Sequence, residues 1–216
     1  MFGFGKPSTL PSPDDALPGR DSQPWTLGEH VVLKTPVVSD DVPAGHEVAI
    51  FGLGCFWGAE EIFWQVPGVW STSVGYAGGH TPHPTYDEVC SGRTGHTEAV
   101  RIVFDPNLTS FADLVKKFFE IHDPTQGMQQ GNDVGTQYRS AIYFMSPEQE
   151  TTARDLTKVY GDELTRRRLG SITTEIRPAA EAGYFYAEDQ HQQYLAKNPF
   201  GYRCHANTGV RFPQTT

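Results

Sequence analysis

The sequence predicts an α/β protein, an α+β two-layer sandwich of the ferredoxin-like kind, and three features of the chain support this prediction. Stretches with the two-residue period of a strand alternate with stretches of helical period in the order β-α-β-β-α-β, followed by one more helix and strand. One stretch, residues 47–53, is apolar on both faces, as is typical of a central strand covered on both sides. The 216 residues are 38% hydrophobic and 20% charged and contain no long apolar run, which is the composition of a soluble globular protein.

The first helix and the two strands after it follow from the apolar pattern. Apolar side chains at positions 59, 62, 63 and 66 recur at the spacing of one helix face, and the Pro-Gly pair at 67–68 ends this helix. Residues 69–77 and 97–104 then have the pattern of strands.

Two serines mark the starts of the later helices. Ser110 with Asp113 forms a capping box ahead of a helix with an apolar stripe. Ser146 is followed by a proline at the first helical position and by Gln149, which is expected to close a second capping box. Residues 138–145 and 172–177 predict the two remaining strands.

The chain divides into an arm, one domain and a tail. Seven of the sixteen prolines lie in residues 1–45, which are therefore expected to form an irregular arm. Residues 46–198 are predicted to be the catalytic domain, since a chain of this length normally holds one compact domain. Residues 199–216 are polar and contain glycine, so Cys204 is expected in a mobile C-terminal tail.

The charge and the N-terminus argue against several functional classes. A net charge of −9, with only the arginines at 166–168 clustered, disfavours binding to nucleic acid. The N-terminal stretch lacks the continuous apolar core of a secretory signal. We therefore expect a cytoplasmic protein that binds neither nucleic acid nor membrane.

Cys55 is the first candidate for chemistry. It follows Gly52 and Gly54 at the point where the first strand meets the first helix, and free amide groups at a helix start favour a thiolate. A small buried hydrophobe is the alternative reading of a lone cysteine. Two neighbouring aromatic residues, Phe56 and Trp57, favour the reactive reading because they could form an apolar wall beside the sulfur.

Glu98 is the second candidate. It begins a strand face that continues with Val100, Ile102 and Phe104 and is otherwise apolar. The carboxyl group is either at the wet rim of the sheet or partly desolvated with a raised pKa, as a general acid working near neutral pH requires.

An ordered set of motifs carries a resemblance to a known family. They are GCFWGAE at 54–60, GYAGG at 75–79, PTY at 84–86, GHTEAV at 95–100, HDP at 122–124, GNDVGTQYRS at 131–140 and AEDQHQQY at 187–194. Together they resemble the A-type methionine sulfoxide reductases, which reduce the S epimer of methionine sulfoxide. The matches run in order from about residue 51 to residue 202, so the resemblance covers most of the chain.

The resemblance implies a role for each matched site residue. Cys55 corresponds to the family nucleophile and Glu98 to the acid that protonates the sulfoxide oxygen. Tyr86 and Tyr138 correspond to two phenols that hydrogen-bond that oxygen. Asp133 corresponds to a carboxylate that helps to position site water. Phe56 and Trp57 correspond to two aromatic rings that receive the substrate methyl group. Attack on a sulfoxide sulfur needs an acid and fixed donors at its oxygen, so the chemistry agrees with these roles.

The resemblance also implies how the oxidised enzyme is recycled. Attack leaves Cys55 as a sulfenic acid, which a second thiol must resolve. In the family this thiol follows an Asn-Pro-Xaa-Gly-Tyr stretch, here at 198–202, which indicates Cys204. Cys90 is interpreted as a passive thiol. A thioredoxin-type thiol donor would then reduce the disulfide, with oxidised proteins, peptides and free methionine sulfoxide as substrates and no metal or other cofactor.

Two other classes of protein remain open on the residues alone. A cysteine–histidine hydrolase would need His96 or His191 to activate Cys55, but it would have no use for a thiol in the tail. A metal-binding module would use as ligands some of His80, His83, Cys90, Cys204 and His205. The spacing of these residues does not form a paired ligand set, which argues against this class.

Overall fold

The computed structural model describes residues 8–38, 42–204 and 206–214. Eight strands are present in this part of the chain: β1 (Glu47–Leu53), β2 (Val69–Ala77), β3 (Thr97–Phe104), β4 (Gln129–Gln130), β5 (Asp133–Val134), β6 (Ser140–Phe144), β7 (Glu175–Pro178) and β8 (Tyr184–Tyr186). The α-helices are α1 (Phe56–Phe63), α2 (Tyr86–Cys90), α3 (Phe111–Ile121), α4 (Pro147–Arg166), α5 (Ala179–Ala182) and α6 (Tyr194–Lys197). The predicted mixed α/β class is confirmed.

Six of the strands form one sheet in the order β7-β6-β1-β3-β2-β8, and β4 pairs with β5 apart from it. β1 is antiparallel to both of its neighbours, β3 and β6, and only β7 joins a neighbour in parallel. The succession β1, α1, β2, β3, α3, β6 follows the predicted β-α-β-β-α-β order. This order places the end of β1 between β3 and β6, in the middle of the sheet.

The hydrophobic core lies mainly on one side of the sheet. Phe51 of β1 is fully buried there, with its ring 5.7 Å from Phe63 of α1 and 5.2 Å from Phe118 of α3 between centroids. On the opposite face Val48 and Ile50 are also buried, in a second and smaller cluster. The prediction that β1 is covered on both faces is therefore confirmed.

Some predicted boundaries and caps were wrong in detail. The segment predicted as a strand from position 138 begins with a 3-10 turn, Thr136–Tyr138, and the strand starts only at Ser140. Ser146 accepts a hydrogen bond from the Gln149 backbone, as expected, but the Gln149 side chain does not close a capping box. Instead its amide oxygen accepts from the Met145 backbone and its amide nitrogen donates to the Val48 carbonyl, tying α4 to β1.

The arm is irregular but closely packed. Its described residues contain a short 3-10 turn, Pro13–Asp15, and an isolated bridge between Glu29 and Pro36. Arg20 forms a salt bridge with Glu88 at 2.8 Å, and the His30 side chain is completely buried. The arm therefore contributes side chains to the interior of the domain.

The tail is anchored on both sides of Cys204, in contrast to the mobile segment expected. Before the cysteine, Arg203 pairs with Glu61 of α1 at 2.7 Å. After it, the Tyr160 hydroxyl donates to the Val210 carbonyl at 2.9 Å, and Phe212 is buried against α3 and α4. Buried apolar contacts after Cys204 hold this part of the tail in place. The polar composition of the tail around Cys204 does not reveal these contacts.

Within the described residues, no helix has the length and hydrophobicity that crossing a membrane requires.

Candidate active site

Cys55 lies where β1 gives way to α1, as the glycines before it predicted. Gly54 has a φ of +94°, a conformation that side chains other than glycine rarely adopt, and Gln130 packs against its α-carbon. This turn places Cys55 at the N-cap of α1, where it is 9% exposed. The sulfur is thus held at a helix start and almost completely shielded from water.

The surroundings of Cys55 oppose the effect of the helix start on its pKa. Burial raises the pKa of the Cys55 thiol well above its usual value, and the nearby negative charge of Glu98 raises it further. A backbone hydrogen bond from Trp57 lowers the pKa but does not offset these effects. Formation of the thiolate therefore requires that the proton of Cys55 be taken up within the site.

Glu98 is inside the protein rather than at a wet rim. It lies in β3 opposite Tyr76 of β2, and only 1% of it is exposed. One carboxyl oxygen accepts a hydrogen bond from the Phe56 backbone N–H at 2.9 Å. Since Phe56 is the first residue of α1, this bond places the carboxyl group beside Cys55 at the same helix terminus.

Phe56 and Trp57 belong to a cluster of aromatic rings, called the aromatic wall here, which has further members. Trp57 stacks on Tyr194 with 4.0 Å between ring centroids. Its indole N–H donates to Nδ1 of His191 at 3.3 Å, and the His191 ring lies 4.4 Å from that of Tyr86. His191 and Tyr194 were not assigned to the site from the sequence, although the AEDQHQQY motif at 187–194 contains both.

Tyr86 and Tyr138 lie around Glu98. Burial raises the pKa of each phenol, and the Glu98 charge is the second cause in both cases. Both therefore remain hydroxyl donors at neutral pH. The Tyr86 backbone N–H and the Tyr76 hydroxyl each donate to Glu188 at 2.8 Å, so this carboxylate fixes the start of α2. Glu188 was not identified from the sequence, because nothing in its local pattern shows that it reaches α2.

Asp133 and Cys204 lie on the tail side of the site. Asp133, in β5, accepts a hydrogen bond from the Tyr202 hydroxyl at 3.1 Å. Cys204 donates to the Gln130 carbonyl at 3.6 Å between sulfur and oxygen, and burial raises the pKa of its thiol. Cys55 and Cys204 line the same cavity of about 20 Å³, and both are free thiols. The structure thus brings the nucleophile candidate and the tail cysteine together.

Cys90 is nearer to the site than a passive thiol needs to be. It ends α2, is half-buried and forms a side-chain hydrogen bond with Tyr86. Cys90 also contributes to the raised pKa of Tyr138, so it lies close to both phenols.

The two histidines proposed for a hydrolase serve other purposes. Nδ1 of His96 accepts from the Gly79 backbone at 3.0 Å, which leaves Nε2 to donate to the Thr81 carbonyl at 2.7 Å. Burial lowers the pKa of His96 to about 4. Nδ1 of His191 is already engaged by the Trp57 indole. In the described part of the chain, no group of three or more His, Cys, Asp or Glu side chains is placed to hold a metal ion.

Comparisons with known proteins agree with this site. The family described as peptide methionine sulfoxide reductase matches residues 47–215. The chain is 54% identical over 213 residues to the peptide methionine sulfoxide reductase MsrA of Rippkaea orientalis, covering 99% of this chain and 97% of that one. It is 56% identical over 204 residues to the MsrA of Azotobacter vinelandii, covering 94% and 93% of the two chains.

Solved structures give the same result. The methionine sulfoxide reductase A of Corynebacterium diphtheriae superposes with a TM-score of 0.86 at 49% identity, covering 95% of this chain and all of that one. Mxr1 of Saccharomyces cerevisiae in its reduced form has a TM-score of 0.70 at 31% identity, covering 78% of this chain and 96% of that one. The chain belongs to the peptide methionine sulfoxide reductase A family, whose members are thiol-dependent oxidoreductases that reduce methionine sulfoxide.

Proposed function

We propose that this enzyme reduces the S epimer of methionine sulfoxide, both free and in proteins, with Cys55 as nucleophile and Glu98 as general acid. One observation above all supports these roles. A buried thiol and a buried carboxyl group occupy the same helix terminus, joined through the Phe56 N–H at 2.9 Å. Such a pair can move a proton from one group to the other without exposing it to water.

The first step uses one proton, which starts on the Cys55 thiol. The thiol passes this proton to the Glu98 carboxylate, and Glu98 delivers it to the sulfoxide oxygen as the Cys55 sulfur attacks the sulfoxide sulfur. The oxygen passes to Cys55, which becomes a sulfenic acid, and methionine leaves. Tyr86 and Tyr138 remain protonated and donate hydrogen bonds to the oxygen as it gains charge. Phe56 and Trp57 hold the methyl group.

The second step regenerates the thiol through a disulfide. Cys204 attacks the Cys55 sulfenic acid, water leaves, and a Cys55–Cys204 disulfide forms. The shared cavity of about 20 Å³ supports this pairing, because the two sulfurs already face a common space. A thioredoxin-type dithiol then reduces the disulfide by exchange, and no further cofactor is needed. Asp133, which binds Tyr202, helps to order the tail side of the site and its water.

The setting of the enzyme is part of the same proposal. A net charge of −9 disfavours contact with nucleic acid and with anionic membrane surfaces. We assign the enzyme to the cytoplasm, where a thioredoxin-type donor keeps thiols reduced.

The test uses peptides that carry either epimer of methionine sulfoxide, with thioredoxin as donor. The wild-type protein should turn over the S epimer continuously and leave the R epimer unchanged. Cys204→Ser should release about one methionine per enzyme and then stall, because the sulfenic acid has no partner thiol. Cys90→Ser is the matched control and should turn over like the wild type. Sustained turnover by Cys204→Ser would transfer the resolving role to Cys90 or to the donor itself.

A further inference from the structure

A directed chain of hydrogen bonds begins in the N-terminal arm. Nδ1 of His30 accepts from the backbone N–H groups of Val32 and Leu33, at 3.2 and 3.1 Å. Nδ1 therefore carries no proton, and burial keeps the imidazole neutral by lowering its pKa to about 4. The proton is on Nε2, which lies 2.8 Å from the Thr72 hydroxyl oxygen and so donates to it.

The chain ends on Glu60 of α1. Because the Thr72 hydroxyl receives the His30 proton, its own hydrogen points to the Glu60 carboxyl oxygen Oε1, 3.0 Å away. Gln193 adds two more donors: its side-chain amide to Oε1 and its backbone N–H to Oε2, both at 2.8 Å. The Glu60 carboxyl group is completely buried and accepts from three donors. Only an ionised carboxylate can accept from all of them at full strength.

Gln193 connects this carboxylate to the aromatic wall. It has a left-handed backbone, with φ of 46°, and is the N-cap of α6. It directly precedes the wall residue Tyr194 and follows the wall residue His191 by two positions. A left-handed conformation is costly for glutamine and persists only where the surroundings hold it. The Gln193 side-chain oxygen also accepts from the Val31 backbone of the arm at 3.4 Å.

The two wall residues beside Gln193 hold Trp57 in place. Tyr194 stacks on the indole ring, and His191 accepts the indole N–H. Glu60 follows Trp57 by three residues in the same helix, so the carboxylate and the ring form two ends of one clamp between α1 and residues 191–194. Release of the Glu60 end would loosen the Trp57 end.

We propose that Glu60 is a positioning residue, whose carboxylate ties the N-terminal arm and residues 191–194 to α1 and thereby holds Trp57 in its substrate-binding orientation. The inference rests on the proposed role of Trp57 as a wall for the substrate methyl group. It makes the arm a structural part of the active site. His30, in the arm, acts on the site only through Thr72 and Glu60.

The proposal predicts a pH dependence in substrate binding. Burial raises the pKa of Glu60 to about 7, and the donors from Gln193 and Thr72 oppose the shift, as does the charge of Lys197. Tyr184 also senses the Glu60 charge, while His30 stays neutral above about pH 4. As the pH falls through about 7, Glu60 gains a proton and loses its capacity to accept from all three donors. The KM should therefore rise on the acidic side.

The experiment compares Glu60→Gln with wild type by steady-state and single-turnover kinetics across pH 5.5 to about 8.5, a window that brackets a carboxyl pKa near 7. The variant should raise KM by about tenfold at high pH, with kcat within about twofold, because it removes charged hydrogen bonds outside the reacting atoms. Its KM should no longer change near pH 7. Exposed Glu29→Gln, next to His30 in the arm, is the matched control and should match wild type.

Thr72→Val provides a second test of the role of Glu60 in case Glu60→Gln does not fold. It keeps the side-chain shape and removes the hydroxyl that joins His30 to Glu60. It should raise KM in the same direction, as should His30→Ala. The contribution of Trp57 to the intrinsic fluorescence is obtained by subtracting the spectrum of the matched protein with Trp57→Phe. This contribution should shift in each variant. An unchanged KM and unchanged Trp57 fluorescence in folded Thr72→Val or Glu60→Gln would overturn the proposal. Loss of methionine release by the wild-type protein would instead contradict the proposed function.

Discussion

Burial and the charge of Glu98 both raise the pKa of Cys55, although its sulfur lies at a helix start. A cysteine at a helix N-terminus is expected to have a lowered pKa. Here burial and the charge of Glu98 reverse that expectation. Two negative charges side by side in a buried site are unfavourable. We therefore propose that the thiolate forms as a proton moves toward the substrate oxygen, which couples ionisation of Cys55 to the reaction.

Glu98→Gln tests that coupling, because it should slow methionine release but speed the alkylation of Cys55. Gln keeps the shape but cannot transfer a proton, so single-turnover methionine release should fall by about a hundredfold. Removal of the carboxylate charge should also lower the pKa of Cys55, so its alkylation by iodoacetamide should become faster at neutral pH. Both measurements need the Cys90→Ser and Cys204→Ser background, which leaves one thiol. Release at the wild-type rate would pass the acid role to a tyrosine or to water.

At the scale of elements, the turn from β1 into α1 fixes the site. Gly54 holds a φ of +94°, and a β-carbon there would come within 2.6 Å of the Gln130 side chain. Gln130 also presents the carbonyl that accepts from Cys204. The single turn therefore sets the positions of both proposed redox cysteines.

Gly54→Ala should destabilise the protein by about 1–3 kcal/mol, because it adds backbone strain and a steric clash. Chemical denaturation measures this loss, and disulfide formation should slow because Gln130 must move. Gly58→Ala, four residues along in α1, is the matched control for stability. Apart from the adjoining residues and the backbone of its own helix, no described atom lies within 4 Å of the added methyl group, so the substitution should raise stability by about 0.5–1 kcal/mol. Equal effects of both substitutions would show that the turn is not strained.

The sequence predicted the elements whose pattern is long and regular, and missed those made by distant contacts. β1 and α3 were predicted because each carries its own apolar period, and α3 also has its cap at Ser110. α2, β8 and α6 are at most five residues long, too short to carry a period. Their positions come from partners far along the chain, such as Glu188 at the start of α2.

The same division applies to the site. The resemblance indicated the site side chains, and the structure places Glu98 and Tyr138 near Cys55 and Tyr86 near Glu98. The raised pKa of Cys55 could not be predicted, because a helix position is local whereas burial is set by the whole fold. Nor could the sequence show that His30 is buried, since the arm has no periodic pattern.

At the scale of the whole molecule, the described parts of the arm and of the tail both pack into the catalytic domain. The arm enters the interior with His30, and the tail contributes buried Val210 and Phe212. Cys204 lies on a short span between two attachments, the Arg203 salt bridge and the contacts of Tyr160. A short tether keeps the effective concentration of one thiol near the other high.

Phe212→Ala tests whether this attachment serves the chemistry. The ring is 9% exposed and stacks on Tyr160 with 5.6 Å between centroids, and the Phe212 backbone N–H donates to Glu120 at 2.7 Å. Its truncation should cost about 3 kcal/mol of stability, as for other buried phenylalanines, measured by urea denaturation. Leu108→Ala, at a side chain 70% exposed, is the control and should change stability by less than about 0.5 kcal/mol.

The kinetic consequence separates an anchor from a mere packing residue. With the Phe212 ring gone, the attachment after Cys204 is reduced to the Tyr160 hydrogen bonds and buried Val210, and the Cys204 thiol samples a larger volume. Methionine release in a single turnover should then keep its wild-type rate, because Phe212 lies far along the chain from Cys55 and outside its cavity. Disulfide formation should slow several-fold, so the sulfenic acid accumulates and can be trapped with dimedone. Faster disulfide formation would mean the opposite: that the docked tail holds Cys204 back from Cys55 and must be released before the second step.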